Sequence, residues 1–219
     1  MNKKFKCVLF DLDGTLIDSG PDLLDALNHT LSKNNLDQLD HEVIGNLVGG
    51  GAEAMIRKGY DHLGEKINTE KIPNLINSFL DFYSNNCSKK TQLYVNVYDV
   101  LKFLKKKKVL IGLCTNKKQF LAEKILKNLK ISVFFDYILG SNEKFLLKPD
   151  IAMPQECIKK LGVKAGQTIF VGDSLNDIIP ANKLGMESVF VSYGYGKIDA
   201  KTKPKYNFND IKEIKKFNF

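Results

Sequence analysis

The sequence predicts an α/β fold, a Rossmann-like parallel sheet core with helices on both faces, interrupted by an inserted helical unit. Three observations predict it. Short continuous apolar runs alternate with amphipathic helical stretches from Asn96 onward, the mark of repeating strand and helix units. The first such run, Cys7-Val8-Leu9-Phe10, is separated from the next, Val109 to Cys114, by a long stretch with helical periodicity and no strand signal. Each main run ends in polar residues, which parallel strands would gather at one carboxyl edge, where open α/β sheets place their ligands.

The elements follow in order. Cys7 to Phe10 reads as a strand buried on both faces, with Gly14 as its sharp exit. Ser19-Gly20-Pro21-Asp22 starts a helix, with proline early in the first turn and Leu23, Leu24, Leu27 and Leu31 at helical spacing. Helices are expected at Asp40 to Val48, Gly51 to Leu63 and Thr69 to Asn86, the first two parted by Gly49-Gly50-Gly51. Beyond Asn96 come a helix over Val97 to Lys107, a strand over Val109 to Cys114, a helix over Gln119 to Leu129 and a short strand at Tyr137 to Leu139. A helix at Pro154 to Leu161, a strand at Thr168 to Val171, a helix at Asp177 to Leu184 and a strand at Ser188 to Val191 complete the repeats. Tyr206-Asn207-Phe208 reads as an edge strand before a last short helix. Residues 1–16 and 90–219 are thus expected to form the α/β core, and 17–89 a helical domain of their own.

A chain of 219 residues with 43% hydrophobic and 26% charged residues has the composition of a soluble globular protein. No apolar run approaches the roughly 20 residues of a membrane span. The basic start, Met1-Asn2-Lys3-Lys4, meets Asp11 too soon for a signal peptide, so the cytoplasm is the expected compartment. Cys7, Cys87, Cys114 and Cys157 show no metal-ligand spacing and read as buried free thiols. His29, His41 and His62 likewise lack metal-like spacing and read as packing or surface residues. The net charge of +8 permits attraction to anions, but the lysines are dispersed over solvated helix faces, so no specific nucleic-acid partner is expected.

The chemistry lies at the strand ends. The first strand delivers Asp11-Leu12-Asp13-Gly14-Thr15, and strand alternation points Asp11 and Asp13 the same way. Two carboxylates so close need a cation or a retained proton. Thr115-Asn116 ends the second strand, Lys148-Pro149-Asp150 follows the third, and Gly172-Asp173-Ser174-Leu175-Asn176-Asp177 ends the fourth. This set of carboxylates, a hydroxyl and a lysine fits phosphoryl transfer. A metal on Asp11 and Asp173 would polarise a phosphoryl oxygen, and Lys148, Thr115 and backbone amides would hold the other oxygens. One aspartate would attack phosphorus and another would protonate the leaving oxygen.

DLDGT, CTNK, LKPD and VGDSLND, in this order and spanning nearly the whole chain, resemble the four motifs of the haloacid-dehalogenase superfamily. The resemblance implies that Asp11 is the nucleophile and Asp13 the general acid and base. It makes Thr115 and Lys148 phosphate holders, with Thr15 and Asn116 beside them as substrate-binding residues. Asp173 would bind Mg²⁺ together with Asp11 and the Asp13 carbonyl, and Asp177 would bind the metal or orient its waters. The helical insert corresponds to the small α-helical cap domain of one subgroup. Enzymes of the superfamily that cleave carbon–halogen bonds lack the second aspartate, because a halide leaves without a proton; Asp13 therefore argues for phosphorus chemistry.

Leu47-Val48-Gly49-Gly50-Gly51-Ala52-Glu53-Ala54 is similar to the cap specificity loop of phosphoglycolate phosphatases, as are Thr115-Asn116-Lys117 and Ser192-Tyr193-Gly194-Tyr195-Gly196 to other parts of them. Gly49, Gly50 and Gly51 at a helix start would expose amides to a small carboxylate; they would serve equally as a tight connection between two helices. The chain departs from that family at Asp150-Ile151-Ala152-Met153-Pro154, at Lys118, and at Asn96-Val97-Tyr98, where a proline-glycine turn is usual. The leading expectation is a magnesium-dependent phosphatase acting on a small phosphorylated metabolite, 2-phosphoglycolate first, as a monomer or homodimer away from membranes. The alternatives are a pyrophosphatase, a nucleotidase, a sugar-phosphate phosphatase or a β-phosphoglucomutase-like phosphomutase. A non-enzymatic scaffold would have no chemical need for the full set of polar residues.

Overall fold

The computed structural model describes residues 4–219. The stretch Met1-Asn2-Lys3, part of the reading on signal peptides, lies outside them. In chain order the elements are β1 (Cys7–Phe10), β2 (Ile17–Asp18), α1 (Gly20–Ser32), α2 (Ile44–Leu47), α3 (Gly51–His62), α4 (Ile72–Asn86), β3 (Gln92–Leu93) and α5 (Val97–Lys106). They continue with β4 (Leu110–Lys118), α6 (Gln119–Asn128), β5 (Tyr137–Ser141), α7 (Ala152–Lys160), β6 (Thr168–Gly172), α8 (Leu175–Leu184), β7 (Glu187–Val191) and β8 (Tyr206–Phe208). The chain divides into two compact units, Met1–Ile17 with Leu93–Phe219, and Asp18–Gln92.

The first unit is built on a six-stranded sheet in the order β5-β4-β1-β6-β7-β8, every neighbour parallel. After β1 the chain fills one side with β4 and β5, then returns to fill the other with β6, β7 and β8. The order therefore reverses at β1, which is the switch point where such sheets bind ligands. All four residues of β1 are buried, as a strand covered on both faces must be. Cys7 and Leu9 pack with Met153 and Cys157 of α7 and Ala181 of α8, so Val8 and Phe10 point to the opposite face. β8 is the exposed edge strand.

Local sequence explains where the elements begin and end. Ser174 caps α8 in a capping box, its side chain accepting from the Asn176 amide while the Asp177 carboxylate accepts from the Ser174 amide. Gly185 closes the same helix in a left-handed conformation. Asn96, at the departure from the usual proline-glycine turn, adopts φ 67° at the head of α5, a conformation asparagine tolerates better than most residues. Its amide donates to both oxygens of Asp210.

Several expectations need correction. The stretch between the first two long strands is not free of strand: Ile17–Asp18 and Gln92–Leu93 pair as a two-stranded sheet. β4 does not end before Thr115 but continues to Lys118, with a shift of register against β5 between Cys114 and Lys118. The helix expected over Asp40 to Val48 is a 3-10 turn, His41–Val43, followed by the single turn of α2. α7 starts at Ala152, placing Pro154 in the first turn, where its missing N–H is harmless. The last helix is a 3-10 segment, Ile211–Lys216.

The second unit packs α1 against α4, with α3 beside both. Phe79 and Tyr83 of α4 and Leu24, Leu27 and Leu31 of α1 fill its interior. His29 stacks on Phe82 with ring centroids 4.3 Å apart, a packing role. Asp22, in the first turn of α1, is buried and accepts from the Lys90 amide, the Thr91 amide and the Thr91 hydroxyl. Gly49, Gly50 and Gly51 all have positive φ, 108°, 83° and 89°, and lead into α3. The four cysteines are buried free thiols, Cys87 in this unit and Cys7, Cys114 and Cys157 in the first. No helix among the described residues is long and apolar enough to cross a membrane.

Candidate active site

Residues from the ends of β1, β4 and β6 meet at the carboxyl edge of the sheet. Asp11 immediately follows β1, and its amide donates to the Val171 carbonyl of the neighbouring β6 at 3.0 Å. Asp173 follows β6, and Asp177 lies in the first turn of α8. One carboxylate oxygen from each of Asp11, Asp173 and Asp177 lies within 4.8 Å of the others. Lys148 reaches between them, its Nζ 2.9 Å from Asp11 and 2.6 Å from Asp177.

Burial makes these charges interdependent. Burial pushes Asp173 up to about 8, with Asp177 and Asp11 adding repulsion and the Gly196 and Tyr195 amides opposing the rise. Asp11 is raised to about 6 by burial, against the pull of Lys148. Burial would lower Lys148, but Asp11 and Asp177 outweigh it and hold the ammonium above its usual range. With Asp13 and Lys117 included, four carboxylates face two ammonium groups. With all four ionised, the excess is two negative charges, which one divalent cation would neutralise. The donors are all hard oxygens, the chemistry that suits Mg²⁺ rather than a thiophilic metal.

The Asp13 carboxylate is not one of the acidic trio. It is held by Lys117, whose Nζ is 2.8 Å from Oδ1 and 2.9 Å from Oδ2. Lys117 is the polar residue that sequence reasoning left without a role. The signal was present: in an extended strand it shares a face with Thr115, two residues earlier. Thr115 is buried, and its hydroxyl accepts from the Lys117 amide at 3.2 Å.

Asn116, expected among the substrate-binding residues, has its side chain on the Lys148 backbone. Its Oδ1 accepts from the Lys148 amide at 2.9 Å and its Nδ2 donates to the Lys148 carbonyl at 2.8 Å. The end of β4 thereby fixes the backbone of the loop that carries the buried lysine. Thr15 is fully buried and its hydroxyl has no partner among the described residues, while its carbonyl accepts from Tyr193. Gly14 has φ 80°, and a Cβ there would run into the Asp173 carboxylate; the turn after β1 therefore requires glycine twice over. Gly49, Gly50 and Gly51 belong to the second unit described above.

An acidic cluster with a paired lysine, set at the switch point of a parallel sheet, marks an enzyme of the Rossmann-like class. Residues 8–191 match the family model of haloacid dehalogenase-like hydrolases. A phosphoglycolate phosphatase of Mannheimia succiniciproducens is 32% identical, covering 99% of both chains, and one of Caulobacter vibrioides is 32% identical over 86% of this chain and 79% of its own. The crystal structure of a predicted phosphoglycolate phosphatase from Haemophilus somnus superposes with a TM-score of 0.89, at 32% identity and 97% coverage of each chain. The chain belongs to the haloacid dehalogenase-like hydrolases. It is a phosphatase of that family.

Proposed function

We propose that the protein is a Mg²⁺-dependent phosphatase that hydrolyses 2-phosphoglycolate through a phosphorylated Asp11. The observation that carries the chemistry is the convergence of Asp11, Asp173 and Asp177 around Lys148 at the switch point. The choice of substrate rests on relatives of that name that are 32% identical over almost the whole chain. In this reading Asp11, Asp173 and the Asp13 carbonyl hold the metal, with Asp177 binding it or orienting its waters. The bound Mg²⁺ supplies Lewis-acid polarisation of the phosphoryl group and offsets the acidic cluster.

The chain's own residues do the rest. A carboxylate oxygen of Asp11 attacks phosphorus as the bond to the ester oxygen breaks, and Asp13, which enters this step carrying the proton it gained in the previous turnover, gives that proton to the oxygen. Glycolate leaves, and the phosphoryl group stays on Asp11. Asp13, now a carboxylate, takes a proton from water as the water oxygen attacks phosphorus, releasing inorganic phosphate and restoring Asp11. Lys148 and the Thr115 hydroxyl hold the non-transferring oxygens, where charge accumulates in the transition state.

The test is phosphate release from a panel of 2-phosphoglycolate, pyrophosphate, nucleoside monophosphates, sugar phosphates and p-nitrophenyl phosphate, each with and without Mg²⁺. Selective, Mg²⁺-dependent turnover of 2-phosphoglycolate is expected. Preference for another ester would overturn the substrate and keep the mechanism, and release independent of metal would overturn the cofactor.

A further inference from the structure

The turn after β7, Ser192-Tyr193-Gly194-Tyr195-Gly196, lies outside the four motif segments yet reaches two of them. The amides of Tyr195 and Gly196 both donate to Asp173 Oδ2, each at 2.9 Å. Tyr193 Oη donates to the Thr15 carbonyl at 2.8 Å, and its ring packs on Tyr94 with centroids 4.8 Å apart. A Cβ on Gly194 would collide with the Gly14 carbonyl and with the Asp173 side chain, and one on Gly196 with the Asp173 carbonyl. The turn is thus wedged between the exit of β1 and the carboxylate that ends β6.

We propose that this turn is a positioning element that fixes the Asp173 carboxylate in the orientation Mg²⁺ requires, and so sets the metal affinity of the site. The inference rests on the reading of Asp173 as a metal ligand. Two donors on one oxygen fix the plane of the carboxylate, and with it the place of the other oxygen. They also supply partial positive charge where Asp11 and Asp177 supply repulsion. Tyr193 sets the height of the turn, because its hydroxyl is tied to the same Gly14-Thr15 segment against which Gly194 is pressed. Groups that orient a metal ligand without touching the metal typically contribute 10–100-fold to affinity.

The experiment is a calorimetric Mg²⁺ titration of the full-length wild type, Gly194→Ala and Tyr193→Phe, with circular dichroism and thermal unfolding of each in chelator. Gly194→Ala is expected to weaken Mg²⁺ binding about 10–100-fold, and Tyr193→Phe about 3–10-fold, with secondary structure unchanged. A purely packing role would lower the unfolding temperature in chelator and leave the affinity within about twofold of wild type; that result overturns the proposal. Should Gly194→Ala fail to fold, Tyr193→Phe, which removes one hydroxyl and keeps the ring, decides alone. A wild type that binds no Mg²⁺ would overturn the metal reading itself, whereas a wild type that binds it with unaffected variants overturns only the role of the turn.

Discussion

Asp11 combines partial exposure at the carboxyl edge of the sheet with a charge that its surroundings resist. Its side chain is 13% exposed, burial raises it to about 6, and Lys148 at 2.9 Å opposes that rise. Asp11→Asn should leave no detectable phosphate release while the unfolding temperature stays at or above that of wild type, because the substitution removes a disfavoured charge. Lys148 behaves in the opposite way. Lys148→Met should cost about 3–5 kcal/mol in urea unfolding as well as turnover, since it strands two buried carboxylates. Asp13→Asn should slow 2-phosphoglycolate far more than p-nitrophenyl phosphate, whose leaving group needs no proton; equal losses on both would remove Asp13 from the role of acid. The raised carboxyls also give a pH dependence. Folded, metal-free protein keeps Asp11 and Asp173 protonated to about 6 and 8, while unfolded carboxyls titrate near 3.8. At these two groups the folded state therefore binds more protons across that window, and the stability they contribute falls as pH rises from about 4 to about 8. Mg²⁺ should raise the unfolding temperature more at pH 8 than at pH 6, and calorimetry in buffers of different ionisation enthalpy should detect proton release on binding near pH 7.

Elements differ in how plainly the sequence announces them. Strands with continuous apolar runs, such as Cys7-Val8-Leu9-Phe10 and Thr168-Ile169-Phe170-Val171, were legible because burial on both faces leaves no polar position to confuse the pattern. β4 was legible only to Cys114, because it runs on through Thr115-Asn116-Lys117-Lys118, residues chosen for the site at the sheet edge. β2 and β3 have two residues each, too few to show a period. α8 began earlier than its apolar pattern, since a capping box and not hydrophobicity marks its start. The same division holds for the site. The aspartates and Lys148 could be read as chemistry, whereas Asn116 acts on the Lys148 backbone and Tyr195 and Gly196 act through amides that every residue but proline carries. Contacts of this kind are made by the fold. Asn116→Ala should cost about 1–3 kcal/mol by leaving the Lys148 peptide without its partners, and should raise KM, as urea unfolding and steady-state kinetics would measure. Asp22→Ala should destabilise by a similar or larger amount, because it leaves the Lys90 and Thr91 amides without their buried acceptor.

At the level of the whole molecule, repeating strand and helix units implied a parallel sheet, but not which strand would lie at its centre. That position is decided by chain reversal at β1, which puts the ends of β4 and β6 on either side of Asp11. The division into Met1–Ile17 with Leu93–Phe219 and Asp18–Gln92 gives each unit an interior of its own. The distribution of sulfur follows that division: Cys7, Cys114 and Cys157 belong to the first unit and Cys87 to the second, all nearly inaccessible. Burial further pushes Cys7 up to about 12, so little of it is the reactive thiolate at neutral pH. A thiol reagent can therefore modify the native chain only when a unit opens. Followed by mass spectrometry of the separate peptides, labelling would clock two openings in one unaltered molecule, one reported by Cys87 and the other by the three remaining thiols. Addition of Mg²⁺ should slow the three and leave Cys87 the faster reporter, turning four inert side chains into a record of which half of the protein the metal holds shut.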